Sequence, residues 1–583
     1  MKIRLLLVFL IYLVLSPAVR AVPPDAVIEQ QSEQLLREHQ RQLMMEERER
    51  NLEELERLLT PIEPPTPEVA PEKEVPQPCF DITRIELRGA DNLFEFEKQA
   101  LIEPYLNRCL TAQDIDKLRV DIDRYYIEQG WILTRAYLLP GQNLKEGVLI
   151  FKVLEGKIDR IELNDNSLGD RLQASMAFPG MQEEVAYIRD IEQGLEQINR
   201  LASNRATMDI VPAKEKPGYG NLVISNQPEN RFRYYAGYHN LGAQSTGQEQ
   251  GSLTADVDNL LYLNDNWRLS ASEYTGNDTE QQDSDSVSLN LSIPYGYWTL
   301  QLNSARSTYL TTIRDTSGDF RLSGDATTHQ LAASRVVHRD KYSKTSFGVD
   351  LTHKDNNTFL EDVRLDTSSR KLTIVTLDAR HMSRRPGKLW LFNLSYSRGM
   401  DLFDAVRDGP VRDDNVPRGQ FERWGVDVST VLDLDWLGNG WSYRGILAGQ
   451  YARDPLFGSE QLSLGDSGSV RGFRNSPVAG DSGIYLRNDL VWQPAPDRRW
   501  WKGLRLSLGV DGGLVRAKND NIANSGEGDA VLTGLALGVQ HSLGWARHQH
   551  LSWSATWAVP LSHPDYIQPD SSVFYAQLNW KWW

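Results

Sequence analysis

Apolar and polar residues alternate along the C-terminal part of this chain, from residue 231 to residue 583. Segment 298–303 reads WTLQLN and segment 551–557 reads LSWSATW. Because successive side chains of a β-strand point to opposite faces, this alternation predicts strands with one apolar face and one polar face. Such strands, separated by polar turns or long charged loops, are typical of a membrane β-barrel. With about 22 residues for each strand and its connection, we expect about 16 antiparallel strands in a barrel domain over residues 229–583.

The alternative for this pattern is an array of soluble β-sandwiches, which also consist of half-buried strands. Trp and Phe residues near the predicted strand ends favour the barrel, since aromatic side chains concentrate at both membrane interfaces. The mean hydropathy is -0.47 although the chain contains 16 Trp and 22 Tyr, which disfavours an α-helical membrane protein.

Residues 79–228 carry a different pattern, which occurs twice. The first unit, residues 79–155, is predicted to contain strand 82–88, helix 94–105, a helix that begins at Thr111, and strands 131–138 and 147–154. The second unit, residues 156–228, repeats this order with strand 157–164, helices 168–178 and 187–203, and strands 206–211 and 220–225. Thr111 and Asp114 have the spacing of a capping box, which starts a helix. We therefore expect two tandem β-α-α-β-β domains of about 75 residues each.

Three further segments precede these units. Residues 1–21 combine early basic residues, a short apolar run and small residues near position 21, which predicts a cleaved signal peptide. Residues 22–60 are rich in Glu, Gln, Arg and Leu, and a thin apolar stripe at helical spacing predicts an N-terminal helix. The Pro-rich residues 61–78 cannot form a helix or a sheet interior, so we expect an extended linker.

Charge and cysteine content restrict the possible partners and the compartment. The chain has 79 acidic and 63 basic residues, a net charge of -16, which disfavours nucleic acid as a partner. Its two cysteines, Cys79 and Cys109, lie close in sequence, and in a secreted chain such a pair predicts a disulfide in an oxidising compartment. Closing this loop would stabilise the fold by about 3 kcal/mol. The alternative is a pair of buried free thiols.

The chain offers little support for an enzyme. Segments 465–468 and 480–483 both read GDSG, as around the nucleophile of trypsin-like proteases, but none of the ten His residues lies in a recognisable protease context. Two such segments around one loop are more simply explained as turns. We find no phosphate-binding loop, HExxH motif or Cys/His cluster in the sequence, so we expect no catalytic residues, metal or cofactor. An outer-membrane lipase or protease with scattered residues stays the alternative.

The order of helix, Pro-rich linker, two tandem domains and barrel resembles that of the two-partner secretion transporters. This TpsB family includes haemolysin activators and exporters of contact-dependent inhibition toxins, and the resemblance covers essentially the whole mature chain. The tandem domains resemble POTRA domains. The detailed matches are CF at 79–80, GWILTRAY at 130–137 and DNLLYLND at 258–265. Each match alone is weak, whereas their order is informative.

Val470, Arg471, Gly472 and Phe473 resemble the VRGF tip of the sixth extracellular loop in this superfamily. The resemblance implies that the loop near 465–480 folds into the lumen, where an arginine needs a carboxylate partner. Segment 509–513, GVDGG, resembles the strand that supplies it, so Asp511 is the expected partner of Arg471. The alternative is an ordinary Arg in a Gly-rich surface turn. The usual Gly pair before the tip is Gly465-Asp466 here, which affects the expected path of the loop.

The resemblance implies an outer-membrane transporter whose N-terminal domains lie in the periplasm and whose barrel is surrounded by outer-membrane lipid. These POTRA-like domains would recognise an unfolded partner exoprotein, such as a haemolysin, adhesin or toxin, by strand addition, and the barrel would secrete it. The helix at 22–60 would act as a removable plug, or alternatively lie outside the pore. Two other functions stay open: an outer-membrane assembly factor of the same superfamily, and a diffusion porin.

Overall fold

A computed structural model describes residues 78–315, 318–409, 416–494, 501–518, 529–546 and 548–583. The predicted signal peptide, the predicted helix at 22–60 and the predicted linker up to residue 77 lie outside the described residues. Across the described part of the chain, no helix is both long enough and apolar enough to cross a bilayer.

The first N-terminal domain combines a three-stranded sheet with two helices. Its elements are β1 (Cys79–Ile82), β2 (Arg84–Arg88), α1 (Glu95–Ile102), β3 (Arg108–Thr111), α2 (Ala112–Gln129), β4 (Arg135–Leu138) and β5 (Val148–Leu154). Strands β2, β5 and β4 form the sheet in that order, while β1 and β3 form a separate antiparallel pair. Cys79 and Cys109 form a disulfide between β1 and β3, with their Cα atoms 5.3 Å apart.

Helix α2 shows how the sequence builds this domain. Thr111 caps it as predicted, because its hydroxyl accepts a hydrogen bond from the Asp114 N–H and the Asp114 carboxylate accepts one from the Thr111 N–H. The buried face of α2 carries Ile115, Leu118 and Ile122 at helical spacing. This apolar face packs in the domain core.

The second N-terminal domain repeats the first. Its elements are β6 (Lys157–Leu163), α3 (Leu168–Ala177), α4 (Ile188–Asn199), β7 (Ala206–Pro212) and β8 (Tyr219–Asn226). Its sheet has the order β6, β8, β7, with β6 parallel to β8 and β7 antiparallel to it. The prediction of two tandem β-α-α-β-β domains is therefore confirmed.

One predicted strand is wrong over its first half. Of the predicted strand 131–138, only residues 135–138, which form β4, are extended and paired as a strand. Gly130 ends α2 with a left-handed φ of +103°, and its carbonyl accepts a hydrogen bond from Ile188 N–H of the second domain. Trp131 then packs against Tyr187, with the rings tilted and their centroids 4.7 Å apart. Trp131 and Tyr187 thus form a contact between the two domains. The alternation of apolar and polar residues within one segment cannot predict such a contact.

The described strands of the C-terminal region form a closed antiparallel barrel. Its sixteen long strands are β9 (Phe232–His239), β10 (Gln250–Asp258), β11 (Asn266–Tyr274), β12 (Gln282–Tyr295), β13 (Trp298–Asp315), β14 (Gly318–Arg339), β15 (Ser343–Leu360), β17 (Arg370–Arg385), β18 (Lys388–Met400), β19 (Glu422–Asp433), β20 (Trp441–Ala452), β23 (Ser482–Trp492), β24 (Leu504–Arg516), β25 (Ala530–Ala546), β26 (Gln549–Ser562) and β27 (Val573–Trp582). Short strands β16 (Val363–Arg364), β21 (Leu462–Leu464) and β22 (Val478–Gly480) lie in the connections. Strand β27 pairs with β9 and closes the barrel, which confirms the prediction of about 16 strands.

Strand β26 illustrates the two faces of the barrel wall. Trp553 and Trp557 are exposed on the outside, whereas Ser552, Ser554 and Thr556 line the lumen. This alternation presents an apolar surface to lipid and a polar surface to the interior.

Candidate functional site

The connection between β20 and β23, residues 453–481, lies inside the barrel and is called the inner loop below. Within it, β21 and β22 pair as an antiparallel hairpin. The lumen holds a cavity of about 1100 Å³, and Ser467, Gly468 and Arg471 of the inner loop contribute to its wall. Val470 and Phe473 are fully buried in an apolar cluster with Leu532 of β25. The tip, residues 470–473, is therefore packed against the barrel wall.

The structure brings Arg471 and Asp511 together in a buried ion pair. Arg471 Nε lies 2.6 Å from Asp511 Oδ2, and Arg471 Nη2 lies 2.8 Å from Asp511 Oδ1. The Arg471 backbone N–H donates a further hydrogen bond to Asp511 Oδ2 at 3.2 Å. Two parallel bonds from one guanidinium fix orientation as well as distance. The Asp511 side chain is fully buried, so the pair is shielded from solvent.

Sequence reasoning missed two charged residues of this site. Arg471 Nη1 lies 2.7 Å from Asp489 Oδ1, and Asp489 Oδ2 lies 3.2 Å from Arg487 Nε. Arg487 Nη1 also donates a hydrogen bond of 2.5 Å to the Ser467 carbonyl. In the sequence, Arg487 and Asp489 are two residues apart on one strand, which places both on the same face. That spacing could have identified them as lumen residues.

Two glycines make room for the tip. Gly472 has a left-handed φ of +106°, and a β-carbon there would lie 2.9 Å from Pro560 N of β26. A β-carbon on Gly534 of β25 would overlap the Arg471 carbonyl oxygen. The backbone of the inner loop thus approaches the wall too closely for any larger residue at either position.

The first GDSG segment, 465–468, is a series of bends, whereas the second, 480–483, runs from the end of β22 through Asp481 into β23. Asp466 accepts hydrogen bonds from the N–H groups of Gly468 at 2.6 Å and Ser469 at 2.7 Å. Asp481 accepts one from Leu456 N–H at 2.7 Å. The Ser482 hydroxyl oxygen accepts a hydrogen bond from Ala452 N–H at 3.0 Å. These contacts have structural roles.

The root of the inner loop carries a second buried ion pair, which the sequence did not reveal. Glu460 Oε1 lies 2.5 Å from Lys354 Nζ on β15, and Glu460 Oε2 lies 3.2 Å from Arg423 Nη1 on β19. Glu460 is 1 % exposed, and its carbonyl also accepts a hydrogen bond from Arg423. The inner loop is therefore attached to the wall at its root and at its tip.

The DNLLYLND segment at 258–265 connects the barrel to the second domain. The Asp258 carboxylate accepts hydrogen bonds from both terminal guanidinium nitrogens of Arg233, on β9. It also accepts one from the Ser203 N–H of the second domain at 2.9 Å. Asn264 Nδ2 donates a hydrogen bond of 2.9 Å to the Gln173 carbonyl. This segment therefore anchors the second domain to the first barrel strands.

Helix α4 makes a second contact with the same end of the barrel. Glu196 lies 2.5 Å from Arg339 Nη1 and 2.7 Å from Lys344 Nζ, on either side of the β14–β15 turn. Gln197 Nε2 donates a hydrogen bond of 2.8 Å to the Gly296 carbonyl in the β12–β13 turn. Burial alone would raise the pKa of Glu196, but the attraction of Lys344 and Arg339 outweighs it and lowers the pKa to about 2.

This pKa predicts how the contact depends on pH. Because the pKa falls from 4.5 to about 2, the contact should contribute fully above pH 4.5 and disappear as the pH falls through about 2. Spin labels on cysteines at the exposed positions Lys214 and Lys341 would report the distance between domain and barrel. We expect Glu196→Gln to broaden that distance at neutral pH, and Glu184→Gln, an exposed control, to leave it unchanged. A distribution in Glu196→Gln as narrow as in the wild type would contradict this role of the Glu196 contact.

Comparison with known proteins gives consistent matches along the chain. A family model described as haemolysin secretion/activation protein ShlB/FhaC/HecB matches residues 218–541. A model of the ShlB-type POTRA domain matches residues 80–156, and a second POTRA model matches residues 157–212.

Relatives and a solved structure cover most of the chain. The outer membrane transporter CdiB of Escherichia coli is 34% identical over 568 residues, which are 97% of this chain and 91% of that protein. The hemolysin transporter protein ShlB of Serratia marcescens is 30% identical over 521 residues, 87% of this chain and 88% of that protein. The structure of CdiB from Escherichia coli aligns with a TM-score of 0.80 and 31% identity, over 97% of this chain and 100% of that one.

Proposed function

The chain belongs to the haemolysin secretion/activation family of transporters, and on this premise we propose how its residues carry out export. It is an outer-membrane transporter of the two-partner secretion type, with its barrel in the outer membrane and its POTRA domains in the periplasm. The alternatives of a porin and an assembly factor do not match these transporter relatives. We infer further that it has no catalytic centre.

The inner loop controls the passage in this proposal. The observation that carries it is that Arg471 and Asp511 hold the tip in the lumen. A polypeptide that crosses the barrel would need this same space. Export therefore requires the tip to leave the position it has here. The loop motif and its carboxylate partner act as a lock on the resting barrel.

The POTRA domains receive the partner exoprotein by strand addition. Their sheet orders, β2-β5-β4 and β6-β8-β7, place β4 and β7 at edges among the described strands. Exposed apolar side chains lie on both strands, Tyr137 and Leu138 on β4 and Val211 on β7. Main-chain hydrogen bonds at such edges suit an extended, unfolded client, because they do not require one sequence.

Photo-cross-linking during export tests the route. Ser270 and Leu269 are neighbours on β11, with Ser270 lining the lumen and Leu269 exposed on the outer face. A photoreactive amino acid at Ser270 should cross-link to the partner exoprotein, and the same group at Leu269 should not. Equal cross-linking from both positions, or none from Ser270, would contradict passage through the lumen.

The predicted helix at 22–60 lies outside the described residues, and its role as a plug is a proposal that rests on the sequence alone. Deleting residues 25–60 should raise ion conductance in a planar bilayer, because an amphipathic helix about 10 Å wide would no longer occupy the lumen. Unchanged conductance would place the helix outside the pore.

A further inference from the structure

The last and first barrel strands pair over only part of their length. Their ladder runs from Trp582 opposite Tyr234 to Gln577 opposite His239 and stops there. Strand β27 continues to Val573 in its pairing with β26. Beyond His239 the boundary between β9 and β27, called the seam below, has no regular ladder in the described structure. This part of the seam lies at the end of the barrel away from the POTRA domains.

Asn240 forms several hydrogen bonds across the seam directly after the end of the ladder. Its N–H donates to the Ala576 carbonyl at 3.1 Å, and its side-chain oxygen accepts from the Ala576 N–H at 2.7 Å. Its side-chain nitrogen donates to the Phe574 carbonyl at 2.9 Å. The backbone and side chain of Asn240 thus form the hydrogen bonds that cross the seam just beyond the ladder.

Arg474, the residue directly after the tip, reinforces this point from the inner loop. Its Nη1 donates hydrogen bonds to the Asn240 carbonyl at 2.7 Å and to the Phe574 carbonyl at 3.4 Å. The guanidinium also lies 5.4 Å from the centre of the Tyr575 ring. One charged group therefore contacts both sides of the seam, and hydrogen bonds from a charged donor are stronger than neutral ones.

The next two residues extend this bridge. Asn475 contacts Gln248, in the loop after β9, at 3.3 Å and also binds Asp570, in the loop before β27. The Ser476 hydroxyl donates a hydrogen bond of 3.1 Å to the Gln568 carbonyl. Residues 474–476, called the seam staple below, thus connect the loops on both sides of the seam.

We propose that the seam staple couples the position of the inner loop to closure of the barrel. Arg471 and Arg474 are three residues apart, and an extended chain of three residues spans at most about 11 Å. A tip that moves until Arg471 lies farther than this from Arg474 must pull Arg474 out of the seam. A displacement of this size therefore releases the tip and loosens the outer seam together. That a wider barrel would let a polypeptide pass rests on the proposed function. The coupling between the inner loop and the seam does not depend on it.

The test measures the width of the seam in the full-length protein in detergent or nanodiscs, without any exported partner. Gln244→Cys and Ser571→Cys place spin labels at exposed positions on the two sides of the seam, outside the staple. The native cysteines are bonded to each other and do not compete for label. Arg474→Ala should add a population longer by about 5 Å or more, the spacing of one strand pair. Arg471→Ala should do the same, because it frees the tip.

Arg453→Ala is the matched control, since Arg453 is an exposed arginine of the same loop that pairs with Glu422. It should leave the distance distribution unchanged. The proposal is overturned if Arg474→Ala keeps the wild-type distribution. If Arg474→Ala does not fold, Asn475→Ala combined with Ser476→Ala carries the test, and an unchanged distribution there also overturns the proposal. Loss of export has no part in either outcome.

Discussion

Arg471→Ala is expected to release the tip of the inner loop and to impair export strongly, while the barrel still inserts into the membrane. The substitution leaves Asp511 fully buried without its guanidinium partner and removes the contact of Asp489 as well. Breaking a buried ion pair in this way costs about 3–5 kcal/mol. That energy lowers the population of the locked loop by about 100-fold or more. Without this lock the channel should open more often in planar bilayers even when no exoprotein is present. Export should fall, because the inner loop no longer has one resting position from which the exoprotein displaces it.

Arg471→Lys tests whether the positive charge alone holds the loop, or whether the two parallel hydrogen bonds to Asp511 are needed. An ammonium group keeps the positive charge but cannot form two parallel bonds with Asp511 while also reaching Asp489. We expect an intermediate phenotype, closer to Arg471→Ala in channel recordings. Wild-type conductance and export in Arg471→Ala would show that the pair does not hold the loop.

Gly534→Ala should displace the tip without removing any charge. The added methyl group would overlap the Arg471 carbonyl oxygen, which belongs to the backbone and cannot rotate away. Overpacking of this kind typically costs about 1–3 kcal/mol. Since alanine otherwise suits a strand better than glycine, the barrel itself should remain stable. We therefore expect more frequent channel openings and reduced export, as in Arg471→Ala but weaker.

Gly512→Ala provides the matched control for this steric effect. A β-carbon there would meet its nearest neighbour, Thr533 Cγ2, at 3.8 Å, an ordinary van der Waals distance. The variant should behave as wild type in channel recordings and export. If both alanine variants are silent, the close approach at Gly534 has no role in holding the loop.

Much of the fold was predictable because its determinants are local. Alternation along segments such as 551–557 marks the strands directly, and the capping box of Thr111 and Asp114 marks the start of α2. The period of two fixes which face of a strand meets lipid, whatever the partner strand. Strand number then followed from chain length.

Features that depend on tertiary contacts were not predictable in the same way. Residues 131–134 look like a strand by composition, but they serve the joint where Trp131 meets Tyr187. Glu196 and its partners on the barrel lie more than one hundred residues apart in sequence. No local pattern distinguishes such residues from an exposed charged face.

The candidate site shows the same division. Physical reasoning alone left Arg471 as either a lumen residue or part of a surface turn, and only the family resemblance favoured Asp511 as its partner. Asp489, on the barrel wall, and Glu460, at the root of the inner loop, carry no motif. Their roles depend on the path of the inner loop, which the sequence does not specify locally.

The most direct test of the central claim is the surface appearance of a candidate exoprotein encoded by a neighbouring gene. It should be measured in cells that carry the wild type, a deletion of the transporter, and Arg471→Ala. We expect the deletion to retain the exoprotein in the periplasm, and Arg471→Ala to reduce its surface appearance although the barrel is inserted at the wild-type level. Normal surface appearance in the deletion strain would contradict the assignment of this protein as the transporter.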